Sequence, residues 1–139
     1  MQIQRIQSLY LFIAAILTCV IGLMTYSNLA PGHEPYSDGF FFNNIGLLIL
    51  NAISTILLIV SIFMFKKLKR QILTTKINFI LVLLSILLSV TLLYNVNIKP
   101  TLTVVCEIAM LVVADIFIVL ALRAIDKDRK RLAAADRIR

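Results

Sequence analysis

The usual ingredients of an active site are scarce in this chain. Histidine occurs once, cysteine twice and tryptophan not at all, and only seven side chains are acidic. A single histidine, His33, cannot build a histidine cluster. Alone in a polar loop it reads as a solvated side chain rather than a pH sensor or metal ligand. Cys19 and Cys106 both sit inside apolar runs, so neither a disulfide framework nor metal-ligand spacing is present. They read as small packing residues. With four glycines, there is no glycine-rich phosphate loop. No nucleophile–base pair is visible either, so the site criteria point away from an enzyme, a metal centre or a bound cofactor.

What the chain has in abundance is apolar surface. Of its 139 residues, 60% are hydrophobic and the mean hydropathy is +0.97. Small domains bury a modest share of their surface in water, so a soluble domain of this length has nowhere to hide such a composition. A bilayer supplies the missing apolar phase. Four apolar runs stand out, 8–26, 45–65, 77–96 and 102–122. Each has about 20 residues, the length a helix needs to cross a hydrocarbon core of about 30 Å. Backbone in lipid must satisfy its own hydrogen bonds, and the runs do not alternate as barrel strands do, so they are predicted to be helices. The expected fold class is all-α: an integral-membrane four-helix bundle with antiparallel up-down spans, forming a single membrane domain. The first run is longer than the apolar core of a signal peptide and is expected to be retained as a helix.

Charge sets the orientation. Thirteen of the 14 Lys and Arg residues fall on one side: Arg5, the segment Lys66–Lys76, and the tail from Arg123 to Arg139. Only Lys99 falls on the other. The positive-inside rule then places both termini and the Lys66–Lys76 segment in the cytoplasm, and the loop Ser27–Asn44 outside. That loop carries Pro31, Gly32, Pro35 and Gly39. Phe40, Phe41 and Phe42 after it are expected to begin the second helix or dip into the bilayer. Basic clusters abutting apolar runs point to anionic headgroups as a partner, and no nucleic acid is expected. Candidate lipid contacts are Lys66, Lys67, Lys69, Arg70, Arg123, Lys127, Arg129, Lys130 and Arg131. The setting that follows is a bacterial inner membrane, crossed several times.

Polar residues within the runs are the candidates for function. Ala14, Thr18 and Gly22 form a small-residue ladder suited to helix packing. Asn51, Thr55, Ser85 and Ser89 are expected to hydrogen-bond between helices. Glu107 and Asp115, eight positions apart, share a face within about 80° at 3.6 residues per turn. An acidic group at the centre of a span costs about 2.5–3.5 kcal/mol on insertion scales and is commonly turned inward. Two readings stay open for Asp115. It is a protonated anchor hydrogen-bonded to Asn51, Thr55, Ser85 or another polar group, as structural glue or a subunit contact, or it is part of a proton or cation relay. Asn78, Asn95 and Asn97 read as residues of helix boundaries.

The tail, 123–139, reads as a helical continuation of the fourth span into the cytoplasm. Asp126–Lys130 is an i,i+4 ion pair in the favourable order and Asp128–Arg131 an i,i+3 pair. The opening stretch from Arg5 to Leu11, and the closing one from Leu120 to Asp128 followed by Asp136–Arg139, resemble a domain-of-unknown-function family of small four-span membrane proteins of Bacteroidota. Arg129 and Ala134 stand where that family's pattern has an acidic residue and a serine, which makes this tail more basic. The resemblance implies an inner-membrane setting and no activity, so no catalytic or binding residues carry over. Two functions are therefore expected in competition. One is an accessory or scaffold subunit that binds another membrane component or a second copy of itself. The other is a small transporter or relay using Glu107 and Asp115.

Overall fold

Each apolar run falls on an α-helix longer than the run itself. The computed structural model describes residues 2–29, 38–64, 66–95 and 102–137. Four helices run through them: α1 Gln2–Leu29, α2 Asp38–Phe63, α3 Leu68–Asn95 and α4 Leu102–Asp136. All four are long and apolar enough to cross a bilayer. Their lengths exceed the apolar runs because helix, once nucleated, propagates at one hydrogen bond per added residue and does not stop where apolarity stops. At 35 residues, α4 is about 52 Å long by its rise per residue. It overruns a hydrocarbon core and carries the basic tail with it, as its sequence implies.

Two boundaries differ from the sequence expectation. Lys66–Lys76 is not a loop: turns stand at Met64 and Lys66, the Lys67 amide bonds the Met64 carbonyl at 2.9 Å, and the chain is helical again from Leu68. Nothing in Lys69–Lys76 breaks a helix, so charge alone marked it as a connection. At the other end, Asp38–Asn44, expected in the loop, belongs to α2, with Phe40, Phe41 and Phe42 at its start as expected. Ser27–Leu29 end α1; residues 30–37, with His33, and 96–101, with Asn97, Lys99 and Pro100, lie outside the described residues.

The helices close a ring of neighbours. α1 packs against α2 and α4, and α3 against the same two, so that α1 and α3 are diagonal, as are α2 and α4. Residues buried in the interior recur at three- and four-residue spacing along every helix. On α1 they are Gln7, Leu11, Ala14, Thr18, Ile21 and Thr25. On α4 they run Glu107, Leu111, Ala114, Ile118, Ala121, Ile125 and Asp128. This is the seam of a coiled-coil-like bundle.

The outer surface is apolar, with Leu23, Phe63, Ile80 and Leu87 each more than 60% exposed. In water so much apolar area would be a liability; against lipid tails it is matched. Cys19 and Cys106 belong to that surface. Both are free and exposed, which corrects their reading as packing residues: a thiol is tolerated by lipid as well as by a core.

Candidate functional site: a polar seam inside the bundle

The interior has two unlike halves. Between α1 and α4 it is mostly apolar, with Leu11, Ala14, Ile21, Leu111, Ile118 and Ala121 in one cluster and Tyr10 tilted on Phe117 at a ring-centroid distance of 6.2 Å. Between α2 and α3 it is mostly polar. The buried stripe of α3 reads Gln71, Thr75, Asn78, Val82, Ser85, Ser89, and that of α2 reads Asn44, Leu47, Asn51, Ser54, Leu58, Ser61. Three apolar residues break these two stripes, and the other positions are amides and hydroxyls. Read as strings, the runs look apolar on every face. They are not, because the few polar residues fall on the one heptad-spaced face that points away from lipid.

Apart from Ser54, hydroxyls in the seam are mostly satisfied locally. Ser85 donates to the Leu81 carbonyl at 3.0 Å and Ser89 to the Ser85 carbonyl at 2.9 Å. These bonds stay within α3, where sequence reasoning expected bonds between helices. A hydroxyl one turn from a helical carbonyl reaches it without waiting for a partner. Two short contacts do cross, besides a longer one from the Thr74 hydroxyl to Ser61 Oγ at 3.4 Å. The Thr55 hydroxyl is shared between the Asn51 carbonyl at 2.8 Å and Thr18 Oγ1 at 3.0 Å. Ser61 and Thr75 pair across α2 and α3 at 2.9 Å.

Three amides in the seam, Asn51, Gln71 and Asn78, are not satisfied by protein. Both polar side-chain atoms of Asn51, Gln71 and Asn78, and the Ser54 hydroxyl, are buried without a protein partner. A buried polar group left unpaired costs about 1–3 kcal/mol, and four such side chains in so small a bundle are a large exception to the rule that buried polar groups are paired. Asn78 was expected at a helix boundary. It lies well inside α3 and is 1% exposed, because α3 begins before the apolar run does.

Asp115 is 8% exposed and its Oδ1 has no protein partner. No hydrogen bond joins it to Asn51, Thr55 or Ser85, which corrects the anchored-carboxyl expectation: the Thr55 and Ser85 hydroxyls are committed elsewhere. It lines a groove of about 500 Å³ between α3 and α4, together with Leu83, Ile86, Val112, Ile116 and, one end on, Arg123. Glu107 is buried at 4%. Among the described residues no group of three or more His, Cys, Asp or Glu is placed to hold a metal.

The small-residue ladder faces inward. Ala14 and Thr18 are fully buried, and a Cβ added at Gly22 would stand 3.9 Å from the Asn51 Cβ. That is ordinary contact, so Gly22 faces α2 without marking a close approach of backbones. A second groove, of about 380 Å³, opens beside it between α1 and α2.

At the end of the bundle that carries the basic tail, the Gln7 side-chain amide donates to the Ala124 carbonyl at 3.2 Å and to Asp128 Oδ2 at 2.9 Å. Both Gln7 and Asp128 are buried. Sequence reasoning paired Asp128 with Arg131; the carboxylate instead turns inward, because its heptad position faces α1. Asp126 faces out, bonded to Lys130 at 3.1 Å and Arg129 at 3.5 Å. The Lys130 hydrogen bond, with the charges of Lys130, Arg129 and Lys76, holds its carboxyl below the usual range. All nine candidate lipid-contact residues are exposed.

An apolar exterior, a polar interior and four helices able to cross a bilayer are features of the multi-pass membrane class. Within that class, the chain belongs to the family described as Domain of unknown function (DUF4293), whose model matches residues 3–138. No curated protein and no solved structure matches the chain. The match takes in both terminal stretches that carried the sequence resemblance, and Gln7 and Asp128, one from each, are the residues that meet.

Proposed function

We propose that this chain is a non-enzymatic, multi-pass protein of a bacterial inner membrane that relays protons or a small cation through its interior, with Asp115 and Glu107 as the titrating groups. The observation that supports this best is the placement of polarity: most amides and hydroxyls of the spans are buried, as are Glu107 and Asp115, where lipid cannot pay their desolvation and where an ion pathway needs them. A subunit that docks through polar or small residues would carry them on its lipid face, and the Ala14–Thr18–Gly22 ladder is spent inside the bundle. The spans are taken as antiparallel and up-down, a reading supported by the pairs Gln7–Asp128, Thr18–Thr55 and Ser61–Thr75. Both termini are assigned to the cytoplasm on the Lys and Arg bias, with the exposed basic residues against anionic headgroups.

Reconstitution in liposomes with an imposed pH gradient tests the relay. Wild type is expected to dissipate the gradient, and Asp115→Asn to assemble normally and conduct at least tenfold less, since an amide does not exchange a proton under these conditions. Equal flux in the two proteins removes Asp115 from any relay.

One observation favours a second reading, an accessory or scaffold subunit that binds another membrane component. The groove between α3 and α4 sets the carboxyl of Asp115 among apolar walls with Arg123 at one end, a surface that a partner helix with a hydrogen-bond donor would complement. A stoichiometric partner recovered in mild detergent, and lost in Asp115→Leu, would favour it.

A further inference from the structure

We infer that the seam between α2 and α3 holds a file of water reaching from the α2–α3 turn to the middle of the bundle, and that this water is the route by which one side of the membrane communicates with Asp115. The water site stands on the geometry of the seam; the role given to the water rests on the relay reading above.

The Ser61–Thr75 hydroxyl pair, near the turn, fixes the register of the two helices. Gln71 lies one turn toward the turn from Thr75, and Asn78 about one turn deeper on the same face. On α2, Ser54 and Asn51 lie about two and three turns deeper than Ser61. All four side chains are at most 1% exposed, and every polar atom that Asn51, Ser54, Gln71 and Asn78 carry on their side chains lacks a protein partner. A primary amide offers two donors and two acceptor lone pairs. Three such amides and a hydroxyl strung along the buried faces of α2 and α3, with Asn51 on the α1 side beside Gly22, demand a ligand that donates and accepts at every step. Water does both, and buried polar clusters of this kind are where internal water is held. The seam carries no net charge of its own, so it would solvate a hopping proton without trapping a fixed counter-ion. Deeper in, Asp115 on the neighbouring α4 presents an equally unpartnered Oδ1.

Gln7 supplies the internal control. It is also a buried amide, at 2% exposure, but both its hydrogens are donated to protein acceptors. The experiment is solid-state NMR of the full chain, with 15N in Asn and Gln side chains, in bilayers of phosphatidylethanolamine and phosphatidylglycerol. Magnetisation transfer from water to each side-chain amide is read, with signals assigned from single Asn→Leu and Gln→Leu variants. Transfer to Asn51, Gln71 and Asn78 is expected to build up at least fivefold faster than to Gln7. Transfer as slow as that to Gln7 at all three overturns the inference, and fast transfer confined to Gln71 overturns its depth. Flux in liposomes is measured on the same sample. Fast transfer without flux leaves the water file standing and defeats the relay alone; flux without fast transfer does the reverse.

Discussion

A buried polar side chain is informative through the partners it has or lacks, and here the two cases separate cleanly. Gln7 and Asp128 form a satisfied pair that ties the first turns of α1 to the tail end of α4. Gln7→Ala leaves the Asp128 carboxylate buried beside an apolar side chain and should destabilise the bundle by about 1–3 kcal/mol. Asp128→Asn keeps an acceptor oxygen toward Gln7 and should cost well under half as much. Thermal unfolding in detergent checks both, and a larger loss for Asn than for Ala would break the assignment. Asp115 is the opposite case. Its Oδ1 meets no protein donor and its surroundings in the α3–α4 groove are apolar. Asp115→Leu should therefore leave the melting temperature unchanged or raise it, since it replaces an unpaired polar group by one that fits lipid and groove alike. An anchoring carboxyl would behave the other way, and a fall of several degrees would restore that reading.

At the scale of the helix, composition understates what spacing does. α3 contains few polar residues in its apolar run, yet Asn78, Ser85 and Ser89 continue the buried stripe begun by Gln71 and Thr75 and turn that face away from lipid. The spacing was readable, but attention to strings of apolar residues hides it, because each polar residue is isolated in the linear order. Gly22 on α1 makes a further test. A Cβ there meets only ordinary contact, so Gly22→Ala removes the conformational cost of a mid-helix glycine and should stabilise the protein by about 0.5–1 kcal/mol. Destabilisation on unfolding in detergent would mean that α1 and α2 approach more tightly than 3.9 Å allows. The tail of α4 has a pH dependence of its own. The folded-state pKa of Asp126 is depressed, by the Lys130 hydrogen bond first. Its contribution to tail helicity is thus complete above the ordinary carboxyl range and lost as pH falls through the depressed value. Amide protection over 130–136 should drop on acidification in wild type and be low at every pH in Asp126→Ala.

For the whole molecule, the proposal that both ends lie in the cytoplasm rests on where the basic residues fall, and labelling decides it. In a background with the exposed Cys19 and Cys106 replaced by alanine, a cysteine at Ser37 should react with an impermeant maleimide in intact cells and one at Lys69 only after lysis. The reverse pattern inverts the bundle. Hairpin order is less exposed to error, because each connection joins helices that are also neighbours in the ring.

The sequence by itself determined that the chain is all-α, that it has four helices able to cross a bilayer, and that the tail continues the fourth. Each follows from local terms: run length against bilayer thickness, and backbone hydrogen bonds that lipid will not satisfy. It also named Asp115 and Glu107 as residues out of place. What it left open was which polar residue meets which. That Asp128 turns to Gln7 and not to Arg131, that Ser85 bonds its own helix, and that Asn78 is interior were all decided by packing. The physical reason is rotation. A residue's neighbours depend on the angle of its helix about its own axis, and that angle is set by the sum of all contacts along the seam. Only when four helices settle together do Asn51, Ser54, Gln71 and Asn78 share one interior face.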